Sequence, residues 1–430
     1  MKKVIRNRLL CALCAVLLFG CAKDKDVNDP VVTWTQPAVA SSYDVGDSVE
    51  VDAWVEDDVQ LTSVRVSIVN PSLVAVLPVA VTPVEEYKRR GIRMSIPLDD
   101  VHLLSGKHFV LIYASDGVNE TRSFREIYIH AFPPEREAIY ALTDRNGKPV
   151  VVRYDSIATE VITGTGDYST AAINSWDHQL YLCGRATGDL EAYRLSDHQL
   201  AWLKSGQTNL PWNTFEGVYV NDRTCYALYR DGRIIGFDLF GNAVFNATVT
   251  EGYRPVFLFQ HADKLVCVEK ENVGGKEKFV LINTVGGVGL QEALLDFAVV
   301  RVFTRDSDHL MVFGNRSGQG VIMEYTLSQN GFWEPHTLPA GVLSDAVQVD
   351  ANTYLVSMAD GIRKFTYNPL GLVDYIPGVS VQCMAYDSAS DEVITGSGQV
   401  LGRYAYAGAV PVNQVILSDS IVKLMVLWNK

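Results

Sequence analysis

The sequence has 430 residues, of which 48% are apolar and 20% are charged, and its formal net charge is −13 at pH 7. This composition excludes an intrinsically disordered chain, and the length favours more than one domain. The acidic balance argues against a nucleic-acid partner, which would require basic patches. Beyond the N-terminus, no apolar run is long enough to predict a membrane-spanning helix.

The first 20 residues are typical of a targeting segment. Four basic residues precede a short apolar stretch at 9–19, the arrangement of a signal peptide. The sequence LFGC at 18–21 resembles the lipobox of bacterial lipoproteins, in which the cysteine accepts a diacylglyceryl group and becomes the first residue after cleavage. The resemblance implies a signal peptide at 1–20, lipidation of Cys21 and attachment to a membrane through this anchor. A secretory signal with an incidental cysteine is the alternative.

Residues 21–31 are predicted to form a flexible tether because they are rich in charge. The segment at 22–26 loosely resembles the acidic tract that directs Bacteroidota lipoproteins to the cell surface, although two lysines interrupt it. The resemblance implies a lipid-anchored protein of the outer membrane, on the cell surface or on the periplasmic face.

Residues 32–131 predict a β-sandwich. Six segments alternate apolar and polar residues with the period of half-buried strands, and turn signals such as VGD at 45–47 and NP at 70–71 separate them. About seven short strands in roughly 100 residues fit an immunoglobulin-like sandwich. The sequence YASDG at 113–117 resembles the F–G hairpin of PKD-like and cadherin-like modules.

A repeat with a longer period occupies residues 138–430, after a proline-containing linker at 132–137. Each of its seven copies is a strand, a turn containing glycine or asparagine, and a second strand. The equivalent second-strand residues are 39 to 44 residues apart: Tyr154, Tyr193, Phe237, Leu281, Tyr325, Phe365 and Tyr404. Such a period, with four strands per unit, is typical of β-propeller blades. We therefore predict an all-β chain in which a seven-bladed β-propeller follows the sandwich.

The segment IVKLMVLW at 421–428 is predicted to close the propeller. The first repeat lacks an innermost strand, whereas this apolar C-terminal strand has no hairpin after it. Pairing the two would complete the first blade and remove exposed sheet edges. The other innermost strands are predicted near 170–174, 215–220, 255–260, 298–304, 345–349 and 380–386. The longest amphipathic helical candidate, at 290–297, is too short to change the fold class.

Four cysteines lie in predicted propeller strands, and their spacings match no zinc motif: Cys183, Cys225, Cys267 and Cys383. Thiols in an oxidising compartment can pair. We interpret these four as small buried hydrophobic residues.

The loops between consecutive blades carry the candidate ligand-binding residues. In propellers these loops share one face with the turn inside each repeat, at the mouth of the central channel. Aromatic rings there can stack on a sugar or a peptide, while Asp, Asn and Arg provide directional hydrogen bonds. The residues selected are Asp167, Tyr168, Trp212, Asn213, Tyr253, Arg254, Asp296 and Asp345. For each residue the alternative is packing between blades or capping of a turn.

The sequence lacks the common motifs of hydrolases, metalloproteases and nucleotide-binding proteins. Asp167 and Glu216 could form a glycosidase pair, but chance pairs are expected among 50 acidic residues. The Asp-His pairs at 177–178 and 197–198 fall in predicted turns. We therefore assign no catalytic residue, no metal site and no cofactor.

The whole chain resembles Bacteroidota lipoproteins that join a PKD- or Ig-like domain to a YncE- or YVTN-like seven-bladed propeller. Several such proteins are encoded beside outer-membrane nutrient-uptake systems. The resemblance implies a non-enzymatic, lipid-anchored protein that captures a glycan or a peptide, with an outer-membrane transporter as a partner and the Ig-like domain as a spacer. Two alternatives stay open: a protein–protein scaffold of the cell envelope, and a propeller glycosidase or lyase.

Overall fold

A computed structural model describes residues 27–82, 87–206, 214–221 and 223–429. The chain divides into two compact units, Met1–Pro133 and Pro134–Lys430, so the division falls inside the linker predicted at 132–137. Strands dominate the described residues, which also contain a short 3₁₀ turn at Ala407–Ala409. Among these residues, no helix has the length and apolar character needed to cross a bilayer.

The described part of the first unit contains eight strands. They are β1 (Val31–Gln36), β2 (Ser41–Asp44), β3 (Ser48–Leu61), β4 (Ser63–Val69), β5 (Ala80–Thr82), β6 (Tyr87–Pro97), β7 (Gly106–Ser115) and β8 (Glu120–His130). One sheet has the order β1-β3-β6 and the other β2-β8-β7-β4-β5. The β2–β8 pair is parallel, and the remaining pairs in the two sheets are antiparallel.

Both sheets of the first unit contribute to one hydrophobic core. Alternate residues of β3, from Val49 to Val55, are buried there with alternate residues of β4 and β7. The two-residue alternation of the sequence thus places one face of each strand in the core. Asp57, near the end of β3, and Asp116, in the turn after β7, each accept hydrogen bonds from backbone N–H groups two and three residues later, a pattern common in turns.

The described residues of the second unit form seven four-stranded sheets. In chain order the strands are β9 (Arg136–Arg145), β10 (Lys148–Tyr154), β11 (Ala158–Thr163), β12 (Thr170–Asn174), β13 (Gln179–Cys183), β14 (Leu190–Arg194), β15 (Leu200–Lys204), β16 (Phe215–Asn221), β17 (Thr224–Tyr229), β18 (Arg233–Phe237), β19 (Ala243–Thr248), β20 (Tyr253–His261), β21 (Lys264–Glu271), β22 (Glu277–Asn283), β23 (Gly289–Leu295), β24 (Ala298–Thr304), β25 (His309–Arg316), β26 (Gln319–Thr326), β27 (Gly331–Thr337), β28 (Leu343–Asp350), β29 (Thr353–Met358), β30 (Gly361–Thr366), β31 (Gly371–Pro377), β32 (Cys383–Asp387), β33 (Glu392–Ser397), β34 (Val400–Ala405), β35 (Val410–Ile416) and β36 (Ser420–Trp428). Six sheets each use four consecutive strands, whereas the seventh has the order β11-β10-β9-β36.

The innermost strands of these sheets follow one another in a closed cycle. In the order β36, β12, β16, β20, β24, β28 and β32, each strand contacts the next, and β32 contacts β36 again. Four-stranded sheets arranged around a central channel are the architecture of a β-propeller. The C-terminal strand β36 pairs antiparallel with β9, with Leu424 opposite Ala141 and Val426 opposite Ile139. This is the pairing that the sequence predicts.

The aromatic and aliphatic residues that mark the repeat occupy the third strand of each sheet. Tyr154, for example, pairs with Ile139 on the second strand. These residues help to fill the space between sheets, and the ring of Tyr325 lies 4.7 Å from that of Phe279 in the preceding sheet, measured between centroids. The amphipathic segment at 290–297 is largely strand β23 rather than helix.

The four described cysteines are buried, and none forms a disulfide in the described part of the chain. Burial raises the pKa of the Cys183 and Cys383 thiols to about 12. The reactive thiolate form is therefore scarce at neutral pH, which agrees with their interpretation as small hydrophobic residues.

Candidate functional site

A cavity of about 420 Å³ lies among the innermost strands of five sheets, β36, β12, β16, β20 and β24. Its apolar wall includes the rings of Tyr219, Phe257, Phe259 and Phe303, and its polar lining residues are Thr170, Glu216, Arg301 and Lys423. Aromatic walls with a few polar groups are typical of small-molecule sites, whose volumes are about 300–1,000 Å³. We call this space the central cavity.

A bulge in the innermost strands brings charged side chains to the channel. The pairing with the second strand shifts by one residue at equivalent points of five sheets. The residues that resume pairing after the shift are Gly217, Phe257, Arg301, Asp345 and Lys423. Bulges of this kind re-aim side chains. Equivalent positions of β24 and β36 thus place Arg301 and Lys423 on the cavity wall, whereas Asp345, at the same position of β28, is buried beside Arg301.

Of the two basic lining residues, Lys423 is the one without a carboxylate partner in the described part of the chain. Its Nζ donates a hydrogen bond of 3.0 Å to Thr170 Oγ1, and no ion pair of this amine occurs among the described residues. Burial and repulsion by Arg301 lower the pKa of Lys423 to about 8, against the opposing effect of Asp345. The amine is therefore held on the cavity wall in surroundings that are short of negative charge.

Arg301 is fixed by a buried carboxylate. Its Nε lies 2.8 Å from Asp345 Oδ1, and Asp345 is only 1% exposed. The same carboxylate accepts hydrogen bonds of 2.8 Å from the backbone N–H groups of Ala346 and Met384, so it also joins β28 to β32. Burial raises the pKa of Asp345, against the opposing effects of Arg301 and these two amides.

Glu216, the acidic residue of the lining, is shared by two arginines. Its Oε1 lies 2.5 Å from Arg230 Nη1 and 3.2 Å from Arg254 Nε. Arg254 Nη1 also contacts the Glu271 carbonyl and Asn272 Oδ1, both at 3.3 Å. The single acidic side chain of the lining is thus more than neutralised.

Asp167 and Tyr168, both predicted as ligand-binding residues, hold the loop before β12. The Asp167 carboxylate accepts hydrogen bonds from four consecutive backbone N–H groups, at 185–188. Partial burial by itself would raise the pKa of Asp167, but these hydrogen bonds outweigh that effect and lower the pKa. Tyr168 packs against the hydrophobic core between two sheets, and burial, with a smaller effect from Asp144, raises its pKa to about 12.

The remaining predicted residues lie in different surroundings. Lys278 Nζ lies 4.7 Å from the centroid of the Tyr253 ring, whereas the Asp296 side chain is 71% exposed and pairs with Arg316 at 3.0 Å. Trp212, Asn213 and Cys21 lie outside the described residues.

The structure brings Arg254 and Asp345, of the predicted residues, to the edge of the central cavity. Each makes an ion pair with a lining residue. Asp167, Tyr253 and Asp296 do not line this cavity.

The sequence did carry a signal for the basic lining residues. Lys423 and Arg301 are each the single charged residue of a largely apolar innermost strand. The sequence LMVLW follows Lys423, and AVV precedes Arg301. A charge in such a strand is strongly destabilising unless it is paired or reaches a polar space. The ligand-binding residues predicted from the sequence belong to expected loops between blades, and neither Lys423 nor Arg301 is among them.

No protein-family model matches the chain, and no curated protein sequence matches it. Among solved structures, the β-propeller domain of Cps50 (Swd1) from Myceliophteria thermophila is 13% identical with a TM-score of 0.45, and the match covers 58% of this chain and 86% of that one. BamB from Moraxella catarrhalis is 12% identical with a TM-score of 0.42, covering 68% and 93%. The designed protein Ika8 is 11% identical with a TM-score of 0.47, covering 68% and 91%. Likenesses of this size carry no functional argument.

Proposed function

We propose that the protein is a non-enzymatic, lipid-anchored binding protein of the outer membrane. In this proposal a seven-bladed propeller captures a glycan or a peptide for an uptake system, and an N-terminal Ig-like domain serves as a spacer. The observation that carries the proposal is the central cavity, in which aromatic rings and a few polar groups surround a space of about 420 Å³. The lipobox-like sequence ending at Cys21 and the charged tether after it support the membrane anchor.

The arrangement of carboxylates favours binding over glycoside hydrolysis. A glycosidase uses two carboxyl groups that face one bond from about 5–10 Å apart. Asp167 is held by backbone N–H groups and Glu216 by two arginines. The two residues also line different cavities. Neither has the free, facing carboxylate that the reaction would need.

Binding of the soluble chain, residues 22–430, to a glycan array and a peptide library tests the proposal. Phe257→Leu removes a flat ring from the cavity but keeps apolar cover, so we expect it to weaken binding of whichever ligand the screen identifies. Trp333→Leu changes an exposed ring on the outer strand β27 and should leave binding unchanged. Absence of any binding, or equal binding by Phe257→Leu and the parent, would contradict the proposal.

A protein–protein scaffold is the second candidate, because the outermost strands expose apolar residues. On β35, Val410, Val412 and Ile416 are all exposed, as are Leu290 and Leu294 on β23. Exposed apolar surface of this kind can mark an interaction site. Chemical crosslinking of intact cells separates the candidates: if Ile416→Lys abolishes a specific crosslink to an envelope protein and Phe257→Leu does not, the scaffold is favoured.

A further inference from the structure

We infer that the central cavity binds the carboxylate group of a small organic ligand, and that Lys423 and Arg301 recognise this group. The inference rests on the proposed binding function and narrows its ligand to one chemical class. Two sources fit that class, an acidic sugar residue of a glycan and the terminal carboxylate of a peptide.

The charge of the cavity wall selects an anion. Lys423 has a hydroxyl as its hydrogen-bond partner rather than a carboxylate, and the acidic residue Glu216 is already shared between two arginines. The wall therefore carries an excess of positive charge, although the chain as a whole has a net charge of −13. A local excess of this kind in a recessed space concentrates anions.

The donors of Arg301 are oriented and remain available. The Nε contact to Asp345 uses one edge of the guanidinium, and Nη1 makes a long bond of 3.4 Å to the Val300 carbonyl. Among the described residues, Nη2 makes no hydrogen bond or ion pair, and the side chain, which lines the cavity, is 37% exposed. A guanidinium held in this way can donate to an incoming carboxylate with little loss of conformational freedom.

The lining suits a singly charged organic group. One ammonium, one guanidinium and the Thr170 hydroxyl supply donors of the number and type that a carboxylate accepts. The rings of Phe257 and Phe303 beside them can cover the carbon skeleton of the ligand. Burial and Arg301 lower the pKa of Lys423, so a bound carboxylate would supply the negative charge that stabilises the ammonium.

Calorimetric titration with two matched ligand pairs tests the inference on the soluble chain, residues 22–430. The first pair is glucuronate and glucose, and the second is N-acetyl-Ala-Ala and its C-terminal amide. We expect the acid of at least one pair to bind about tenfold or more tightly than its neutral counterpart. The pair that shows the preference identifies the source of the carboxylate, a sugar or a peptide.

Substitutions of Lys423 test whether the preference for the acid arises in the central cavity. Lys423→Met should reduce the preference to about threefold or less, whereas Lys423→Arg, which keeps the charge, should retain most of it. Lys148→Met changes a lysine that is exposed at the beginning of β10, and should leave the preference unchanged. The preference of the parent protein should also decline as sodium chloride is added, a measurement that requires no variant to fold.

Three outcomes overturn the inference. The first is that neither acid binds more tightly than its neutral counterpart. The second is that Lys423→Met folds and keeps the preference for the acid, and the third is that salt leaves this preference unchanged. A protein that binds a neutral glycan on the array but shows no acid preference overturns the inference and leaves the proposed function standing. A protein that binds nothing on the array and no member of either pair overturns both.

Discussion

Removal of β36 is the sharpest test of how the second unit is stabilised. We expect the soluble chain that ends at residue 419 to lose the folded second unit, because deletion of residues 420–430 takes away the innermost strand of the sheet that contains β9. The lost strand pairs with β9 from Ser420, opposite Asp144, to Trp428, opposite Arg136. Its loss would expose one edge of β9, which is a site for aggregation.

The expected size of the effect follows from the apolar residues of β36. Four of them are 3–6% exposed and pack between sheets: Ile421, Leu424, Met425 and Leu427. Burial of each contributes about 1.5–3 kcal/mol, which makes about 6–12 kcal/mol for the four as an upper estimate. The free energy of unfolding of a typical domain is only about 5–15 kcal/mol. Loss of the strand should therefore unfold the second unit rather than lower its melting temperature by a few degrees.

Denaturant unfolding, followed by circular dichroism, compares the chains that end at residues 419 and 430. A synthetic peptide of residues 420–430 should bind the shortened chain and restore much of the lost stability. Leu424→Ala, at a buried position, should destabilise the full chain by about 2–5 kcal/mol, whereas Val422→Ala, at a position that is 40% exposed, should have an effect within about 0.5 kcal/mol. A free energy of unfolding of the shortened chain within about 1 kcal/mol of that of the full chain, together with no binding of the peptide, would contradict the expected role of β36.

Three further predictions concern single residues. Cys21→Ala should abolish labelling by a fatty-acid analogue, because this cysteine is the proposed acylation site; labelling equal to that of the parent would contradict the lipobox interpretation. The pKa of Lys423 is about 8 in the folded chain against an ordinary 10.5, so the unfolded chain keeps its proton to higher pH. The contribution of this lysine to stability should therefore rise by at most about 3 kcal/mol between pH 8 and 10.5. The free energy of unfolding, measured at both ends of that range, should rise more in the parent than in Lys423→Met. An equal change in the two proteins would contradict this prediction. Tyr253→Ala should lower the free energy of unfolding by about 1–3 kcal/mol, because its half-buried ring packs against a hydrophobic core and contacts Lys278; unchanged stability together with lost ligand binding would instead make the ring a contact for ligand.

The propeller-like organisation of the second unit could be predicted because its signals are local and repeated. Each copy of the repeat carries a residue such as Tyr154 or Tyr404 at the same point of the third strand, and the strands alternate with a period of two residues. The role of β36 followed from a mismatch, a first repeat without an innermost strand and a last strand without a hairpin. Both features can be read from the pattern of residues along the chain, without knowing which side chains are in contact.

The central cavity could not be predicted in the same way. Arg301 and Lys423 are far apart in sequence, and they line one cavity because bulges occur at equivalent points of β24 and β36 and the sheets form a cycle. No local pattern records a one-residue shift in pairing. Loop residues such as Asp167 looked available for ligand because a sequence does not show which backbone N–H groups a carboxylate will meet.

The pairing of β9 with β36 also bears on the order in which the second unit is assembled. Tyr140 lies opposite Met425, so nearly the whole unit must be synthesised before its first sheet can receive its fourth strand. The entropy lost in closing so long a loop grows only with the logarithm of its length, and the separation therefore weighs little on the final stability. Folding rate, in contrast, falls with the sequence separation of contacting residues. We expect the pairing of β9 with β36 to form late in folding. Stopped-flow measurements of folding and unfolding would then show that Leu424→Ala unfolds faster but folds at an unchanged rate. Until that step the nascent chain exposes an unpaired edge of β9. The interval between synthesis of β9 and of β36 is therefore the period in which this edge is most open to aggregation.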